Sequence, residues 1–234
     1  MIKKKINQND ILNFELLNAI NYNYIFSDKP IKRIKTKPTL ENTLFKLEIL
    51  KKKIENTQDC EFKKNASKIV FGDGNSLSQI MVIGDYPDQE DDSMGKPFVG
   101  EIGILLNKML KAIGIEKKNI YTTNVINYLP PIDKKPTSSE LNRYSVYLKE
   151  HISIIDPIII ILMGSVAMNA ILGSNKKISE ERGKWKEIII GNKNFKTILT
   201  FHPAYLLKKP EKKKYSWEDL KIIRSEIKKQ KIMI

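Results

Sequence analysis

Cysteine is almost absent from this chain of 234 residues, in which Cys60 is the only one. One cysteine excludes an intramolecular disulfide and an all-cysteine metal site, so we expect a reducing compartment, no metal and no cofactor. Long apolar runs are missing too, since the longest, residues 157–163, falls far short of the roughly 20 residues of a spanning helix. Residues 1–5 look like the start of a signal peptide, but polar residues interrupt the apolar stretch that should follow. We therefore expect neither secretion nor membrane insertion.

Acidic residues are also in deficit, because 27 Asp and Glu face 41 Lys and Arg, which gives a formal net charge of +14. Such an excess of solvated lysines favours a polyanionic partner. Nucleic acid is the first candidate and a membrane surface the second. Part of the surplus is explained by a composition that is generally rich in Lys, Ile and Asn.

The chain is long enough for one sizeable core with an appendage. Residues 8–24 predict a short amphipathic helix, and "SDKPIKRIKTKPT" (27–39) is a basic linker with no apolar face to bury. We therefore predict a basic N-terminal arm and linker over 1–39 and a catalytic domain over 40–234.

Strands and helices alternate along that domain. After a helix from Leu40 to Lys53, the predicted strands cover residues 79–85, 119–126 and 157–165, followed by a late hairpin formed by "EIIIG" and "FKTILTFH". The predicted helices between and after them cover 101–115, 138–154 and 165–172 and begin again at Tyr215. This order predicts a three-layer α/β/α sandwich around a mainly parallel sheet. Ligands of such sheets bind beyond the carboxyl ends of the strands, here at Gly84 to Pro87, Asn124, Gly164 and His202.

Three segments at these strand ends carry a family signature. "GDYPDQEDDSMGKPFVG", "YTTNVINYLPP" and "TFHPAYLLKKP" resemble three ordered motifs of the family-four uracil-DNA glycosylases, and "ISEERGKW" and "SWEDL" are in the same register. The resemblance covers about residues 57–225. It implies a monofunctional DNA repair enzyme that hydrolyses the N-glycosidic bond of uracil flipped out of DNA and leaves an abasic site.

The roles implied for the base pocket are specific. Phe98 supplies a stacking face, and the Asn124 amide reads uracil O4 and N3–H. His202 donates a hydrogen bond to uracil O2 as negative charge develops on the leaving base. Asp85, at the position of the family's Glu, stabilises the cationic sugar and holds the attacking water. By contrast, His151 lies in the middle of a predicted helix and is expected to be structural.

The acidic motif departs from the family pattern. Tyr86 stands where the family has Ala, and its side chain can line the pocket and change which base enters. Asp91, at the family's second Glu position, is predicted to lie near uracil C5 and to help exclude thymine. The other acidic residues of the motif are expected to be solvated: Asp88, Glu90 and Asp92. Two alternatives stay open, namely a glycosylase with a different damaged-base preference and a catalytically silent protein that binds damaged DNA.

The family's four-cysteine iron–sulfur cluster has no matching ligand set here, because Cys60 occupies one position while Thr57, Tyr128 and Tyr144 occupy the others. Two tyrosines filling that volume are a reasonable packing replacement.

DNA contacts are predicted just after the histidine motif, where an apolar tip would enter the vacated base stack and lysines would bind phosphates. The residues are Leu206, Leu207, Lys208, Lys209 and Lys212. Without the adjacent motif, such a lysine run would be the solvated start of a helix. We expect a monomer acting on uracil-containing DNA in a bacterial cytoplasm, associated with the nucleoid.

Overall fold

The computed structural model describes residues 39–58, 60–132, 134, 136–173 and 176–232. The predicted basic arm and linker lie outside these ranges except for Thr39. The Thr39 side chain accepts a hydrogen bond from the Asn42 backbone and so caps helix α1 (Leu40–Glu55), the first helix described.

Eight further α-helices, two 3₁₀ helices (Lys117–Asn119 and Pro210–Lys212) and six strands follow α1 in the described part of the chain. The helices are α2 (Glu61–Asn65), α3 (Gln89–Met94), α4 (Gly100–Lys111), α5 (Ser138–Ile155), α6 (Ser165–Leu172), α7 (Ile178–Glu181), α8 (Pro203–Lys208) and α9 (Lys213–Lys229). The strands are β1 (Asp73–Gly74), β2 (Ile80–Gly84), β3 (Ile120–Asn124), β4 (Ile159–Met163), β5 (Trp185–Ile190) and β6 (Lys193–Thr200). None of these helices is both long enough and apolar enough to cross a membrane.

The six strands form one sheet in the order β1-β3-β2-β4-β6-β5. Its four inner strands, β3, β2, β4 and β6, are parallel to one another, whereas the edge strands β1 and β5 run antiparallel to them. The carboxyl ends of β2, β3, β4 and β6 therefore lie along one edge of the sheet.

Helices cover both faces of the sheet, and β4 shows why. Every residue of β4 is buried, with Ile160 and Leu162 in one apolar cluster and Ile159, Ile161 and Met163 in the other. Side chains alternate across a strand, so a wholly apolar strand needs an apolar layer on each side. The cluster on one face includes residues of α1, α5 and α6, and the cluster on the other includes residues of α4 and α9. The predicted three-layer fold is confirmed.

Two short helices next to the predicted motifs were not expected. Helix α3 lies within the acidic motif, and α8 begins immediately after His202. Both are only six residues long, too short to show an apolar period in the sequence. They determine which side chains of the motifs point inward.

Candidate active site

Three predicted site residues meet above the end of strand β2. Gly84 ends β2 and lies opposite Asn124, the last residue of β3. A methyl group placed on Gly84 would lie 2.4 Å from Asn124 Oδ1, 2.6 Å from Phe98 Cζ and 3.2 Å from His202 Nε2. Only glycine leaves room for the three side chains to approach one another here. Asn124 and His202 thus meet at the strand ends that were predicted to converge, and Phe98, which lies on no strand, joins them.

Two hydrogen-bond donors in this group are buried and unpaired. Asn124 Nδ2 and His202 Nε2 have no hydrogen-bond partner among the described residues. A buried donor without an acceptor costs about 1–3 kcal/mol, so each of these two atoms requires an acceptor that a ligand or a water molecule supplies. The group is therefore suited to a small molecule that carries carbonyl oxygens.

The protonation state of His202 follows from its surroundings. Its Nδ1 accepts a hydrogen bond from the Ala204 backbone at 3.2 Å, so the ring proton of the neutral form is on Nε2. Burial lowers the pKa of His202 to about 4, which keeps the ring neutral at physiological pH. His202 therefore presents a neutral N–H donor to the pocket.

Phe98 is held in an unusual backbone conformation beside His202. Its φ of 54° lies in the left-handed region, which a bulky residue rarely adopts. The Asp91 carboxylate accepts a hydrogen bond from the Val99 N–H at 2.9 Å and so stabilises this turn. The rings of Phe98 and His202 stack with centroids 5.7 Å apart and planes 24° apart. The turn thus presents an aromatic face to the pocket.

The acidic motif is mostly structural. Asp91 is 4% exposed, and burial raises its pKa to about 6. Asp88 caps α3 by accepting a hydrogen bond from the Asp91 backbone at 2.8 Å. Asp92 is also 4% exposed and accepts hydrogen bonds from the Ser67 and Lys68 backbones. The prediction that Asp92 is solvated is wrong, because its carboxylate pairs with backbone N–H groups of the segment before β1.

Asp85 lies against the first turn of helix α6. Its Oδ1 accepts a hydrogen bond from the Ala167 N–H at 2.8 Å. Gly164, with φ of 107°, permits this contact, since a methyl group there would lie 2.3 Å from Asp85 Oδ2. Burial nevertheless raises the pKa of Asp85 to about 7. The carboxylate therefore changes charge near physiological pH.

Tyr86 is 37% exposed and follows Asp85 directly. Burial, and secondly the Asp85 charge, raise the pKa of its hydroxyl above the ordinary value. Tyr86 therefore remains a protonated phenol at neutral pH.

Of the two leucines predicted to form the DNA-inserting tip, Leu207 is exposed and Leu206 is buried. Leu206 is 1% exposed and belongs to the apolar cluster that contains residues of α4 and α9, so its assignment to the tip is wrong. Helix α8 turns Leu206 inward and leaves Tyr205 (40%) and Leu207 (37%) exposed. The sequence did not indicate Tyr205 as a tip residue, because its exposure follows from helix α8, which was not predicted. Lys208 and Lys209 are exposed, whereas Lys212 is half-buried with its Nζ 5.5 Å from the Tyr215 ring centroid.

Side-chain contacts connect the four positions at which the family holds its iron–sulfur cluster. The side chains at these positions, however, are not a set of ligands for such a cluster. Cys60 Sγ lies 3.0 Å from Tyr144 Oη, and Tyr128 belongs to the same apolar cluster. Thr57 Oγ1 lies 3.0 Å from the hydroxyl of Tyr147, whose ring packs edge-on against Tyr144. Within the described ranges, no three His, Cys, Asp or Glu side chains are grouped to hold a metal ion. One thiol among hydrogen-bonded hydroxyls is not a cluster ligand set.

An aromatic ring, an amide and a neutral imidazole donor are thus grouped at the ends of parallel strands in an α/β fold, an arrangement suited to a flat ring with carbonyl oxygens. Residues 71–221 match the uracil DNA glycosylase superfamily, and the chain belongs to this family. It is 33% identical to the type-4 uracil-DNA glycosylase of Thermotoga maritima over 187 residues, which are 79% of this chain and 96% of that protein. Identity to the type-4 uracil-DNA glycosylase of Sulfurisphaera tokodaii is 35% over 190 residues, covering 76% and 83% of the two chains. The corresponding protein of Archaeoglobus fulgidus is 32% identical over 181 residues, with 76% and 91% covered.

Proposed function

We propose that this chain is a monofunctional DNA glycosylase that hydrolyses the N-glycosidic bond of uracil flipped out of DNA and leaves an abasic site. The observation that carries the proposal is the pair of buried, unpaired donors, Asn124 Nδ2 and His202 Nε2, grouped with the Phe98 ring around Gly84. Uracil has carbonyl oxygens for both donors and a flat face for the ring. Membership of the family supports the same reaction.

Recognition of the base is assigned to Asn124 and Phe98. The Asn124 amide donates to uracil O4 and accepts from N3–H, a pattern that cytosine does not offer because its edge carries an amino group. Phe98 stacks on the base. Asp91 acts through Phe98, since its carboxylate holds the turn on which the ring is placed. By holding this turn and the stacked ring in place, Asp91 fixes the position of the base in its slot, and this is the means by which it helps to exclude thymine with its C5 methyl group.

Bond cleavage is assigned to His202 and Asp85. As the glycosidic bond breaks, negative charge grows on uracil O2 and positive charge on the sugar. The neutral Nε2–H of His202 donates to O2, an interaction that is stronger in the transition state than in the ground state. Ionised Asp85 stabilises the sugar cation and orients the attacking water. The nearby N-terminus of α6 fixes its carboxylate through the Ala167 N–H.

Exposed residues after His202 are assigned to DNA binding. Leu207 and Tyr205 are the apolar side chains that enter the vacated stack, and Lys208, Lys209 and Lys212 bind phosphates. All of these groups and the whole base pocket belong to one chain, which supports a monomer as the active form. We propose that the enzyme acts on uracil-containing DNA at the nucleoid in the cytoplasm.

The direct test is a single-turnover assay on an oligonucleotide with one deoxyuridine, with alkali used to cleave the abasic product. We expect cleavage at uracil and none at cytosine or thymine. His202→Ala should lower the rate by roughly 10²- to 10³-fold, the usual loss for one such donor, with DNA affinity nearly unchanged. The matched control is His151→Ala, which changes the other histidine of the chain. The folded fraction of this variant should cleave at the rate of the parent.

Three outcomes separate the alternatives. Release of hypoxanthine but not uracil would assign the chain to a different damaged-base preference, with Tyr86 as the residue to vary. Tight binding of uracil-containing DNA without cleavage would make it a silent damage-binding protein. Equal rates for the parent and His202→Ala would refute the role given to His202.

A further inference from the structure

A buried ion pair lies beneath the strand end that carries His202. The Asp219 side chain in α9 is 0% exposed and receives two hydrogen bonds from Arg182, Nε to Oδ2 at 3.0 Å and Nη2 to Oδ1 at 2.6 Å. Gly183 permits this approach, because a methyl group there would lie 2.6 Å from Asp219 Oδ1. The pair is bidentate, the arrangement that specifies geometry most strongly.

Both residues that precede His202 contact this pair. Thr200, the last residue of β6, donates its hydroxyl hydrogen to Asp219 Oδ2 at 2.7 Å. The Phe201 ring centroid lies 5.5 Å from the Arg182 guanidinium carbon. On α9, Tyr215 stacks with the same guanidinium at 5.4 Å, and its carbonyl oxygen accepts a hydrogen bond from Arg182 Nη2.

Stability alone is a weak reason for such a pair. Apolar residues of similar volume often stabilise a core as well as a buried ion pair, because desolvation of the charges offsets their attraction. Directional hydrogen bonds, by contrast, fix a backbone to within a fraction of an ångström. His202 needs that accuracy, since a donor displaced by about 1 Å loses up to about 10²-fold in rate.

We propose that Arg182 and Asp219 are positioning residues that hold the end of β6 so that His202 Nε2 faces the base pocket. This inference rests on the proposed function, because it gives the pair the task of aligning the donor for uracil O2. Neither residue touches the base. Arg182→Lys retains the charge but removes the planar fork and the stacking on Phe201, and so disturbs the alignment selectively.

A double-mutant cycle tests the proposal. Arg182→Lys should lower the single-turnover rate on the deoxyuridine oligonucleotide by about 10- to 100-fold with a DNA Kd within about twofold of the parent. In a His202→Ala background the same change should cost less than about twofold, because the donor that it aligns is gone. A purely structural role would give equal losses in both backgrounds and would refute the proposal.

The matched control is an ion pair that joins β6 to α9. Lys196 Nζ donates to Glu226 Oε1 at 2.6 Å, and Lys196 lies in the middle of β6, four residues before Thr200. Lys196→Met should leave the rate unchanged. If Arg182→Lys fails to fold, Thr200→Val is the second variant: it removes the hydroxyl bond to Asp219 at 2.7 Å, together with a longer contact to Ser216 Oγ at 3.4 Å. It should lower the rate severalfold in the same cycle; an unchanged rate would refute the proposal.

A measurement without substrate separates this inference from the proposed function. His151 and His202 are the two histidines of the chain, so each ring can be followed by NMR. In the parent, neither ring should titrate between pH 5.5 and 8. Arg182→Lys should bring the His202 midpoint up toward the ordinary value of about 6.5 as the ring leaves its buried site, while His151 stays unchanged. An inactive parent would refute the glycosylase proposal, and an unmoved His202 signal in Arg182→Lys would refute the positioning pair.

Discussion

Asp85 gives the sharpest prediction, because burial raises its pKa to about 7 while its proposed role requires the ionised form. The ionised fraction of such a carboxylate is roughly one tenth at pH 6 and nine tenths at pH 8. The single-turnover rate of the parent should therefore rise about tenfold over this range. His202, with a pKa of about 4, stays neutral throughout, and Asp91, with a pKa of about 6, contributes about twofold at most.

Asp85→Asn is the perturbation. Asparagine retains an oxygen that accepts from the Ala167 N–H, so the first turn of α6 should stay in place. The charge opposite the sugar is lost, so the rate should be low and independent of pH between 6 and 8. The assay is the deoxyuridine cleavage reaction with enzyme in excess over DNA at each pH.

The free energy of unfolding of the parent should fall with increasing pH, whereas its cleavage rate rises. A carboxyl group whose pKa is raised on folding keeps its proton in the folded state, so the folded state loses stability as pH rises from about 4 through about 7. The difference between an ordinary aspartate and a pKa of about 7 corresponds to a penalty of up to about 4 kcal/mol at pH 8. Asp85→Asn avoids that penalty, so urea unfolding should show a variant that gains stability over the parent as pH increases.

These results would refute the reasoning in separate ways. An Asp85→Asn rate equal to that of the parent at pH 8 would remove Asp85 from the mechanism and direct attention to Tyr86→Phe. A parent rate that does not change between pH 6 and 8 would mean that Asp85 ionises well below pH 7. A variant no more stable than the parent at pH 8 would mean that the carboxylate is well solvated.

Three further predictions concern the base edge, the DNA contacts and the cluster positions. Asn124→Asp replaces the donor that faces uracil O4 by an acceptor, so it should slow uracil release strongly and permit weak release of cytosine; normal selectivity in paired oligonucleotide assays would contradict the role of Asn124. Changing Lys208, Lys209 and Lys212 to Ala should reduce the slope of log K for DNA binding against log salt concentration by roughly 0.9 for each duplex phosphate that is no longer neutralised. The same change at Lys46, Lys51 and Lys52 of α1 is the control and should leave the slope as it is. An unchanged slope in the first variant would assign DNA binding to another face. The purified protein should be colourless, free of iron by elemental analysis and folded, because Cys60 is its only thiol; a brown preparation with visible absorbance would overturn the assignment of Thr57, Tyr128 and Tyr144 to the cluster positions.

Much of the fold was readable from apolar runs and turns. The strand predicted at 157–165 is β4 (Ile159–Met163), and its wholly apolar composition correctly indicated a layer on each face. The strand predicted at 119–126 is β3, which ends at Asn124. Boundaries differed by a few residues, because hydrogen bonding to neighbouring strands decides where a strand ends.

The short helices were a different matter. Helices α3 and α8 span fewer than two turns each, so local composition carries no clear period for them. These two helices bury the side chains of Asp92 and Leu206. The neighbours of Asp92 and Leu206 in the sequence, by contrast, are exposed or functional. Whether a motif residue faces the core or solvent depends on the helix that contains it.

The sequence by itself determined the family, the order of the main strands and long helices, and the convergence of the strand ends that carry Asn124 and His202, because parallel strands end on one edge of the sheet. Tertiary structure alone decided the electrostatics. The neutral state of His202 and the raised pKa of Asp85 come from burial, and the partner of Asp85 is a helix N-terminus 82 residues further along the chain. Burial and long-range backbone contacts arise only when separate segments pack together, so composition and spacing could not reveal them.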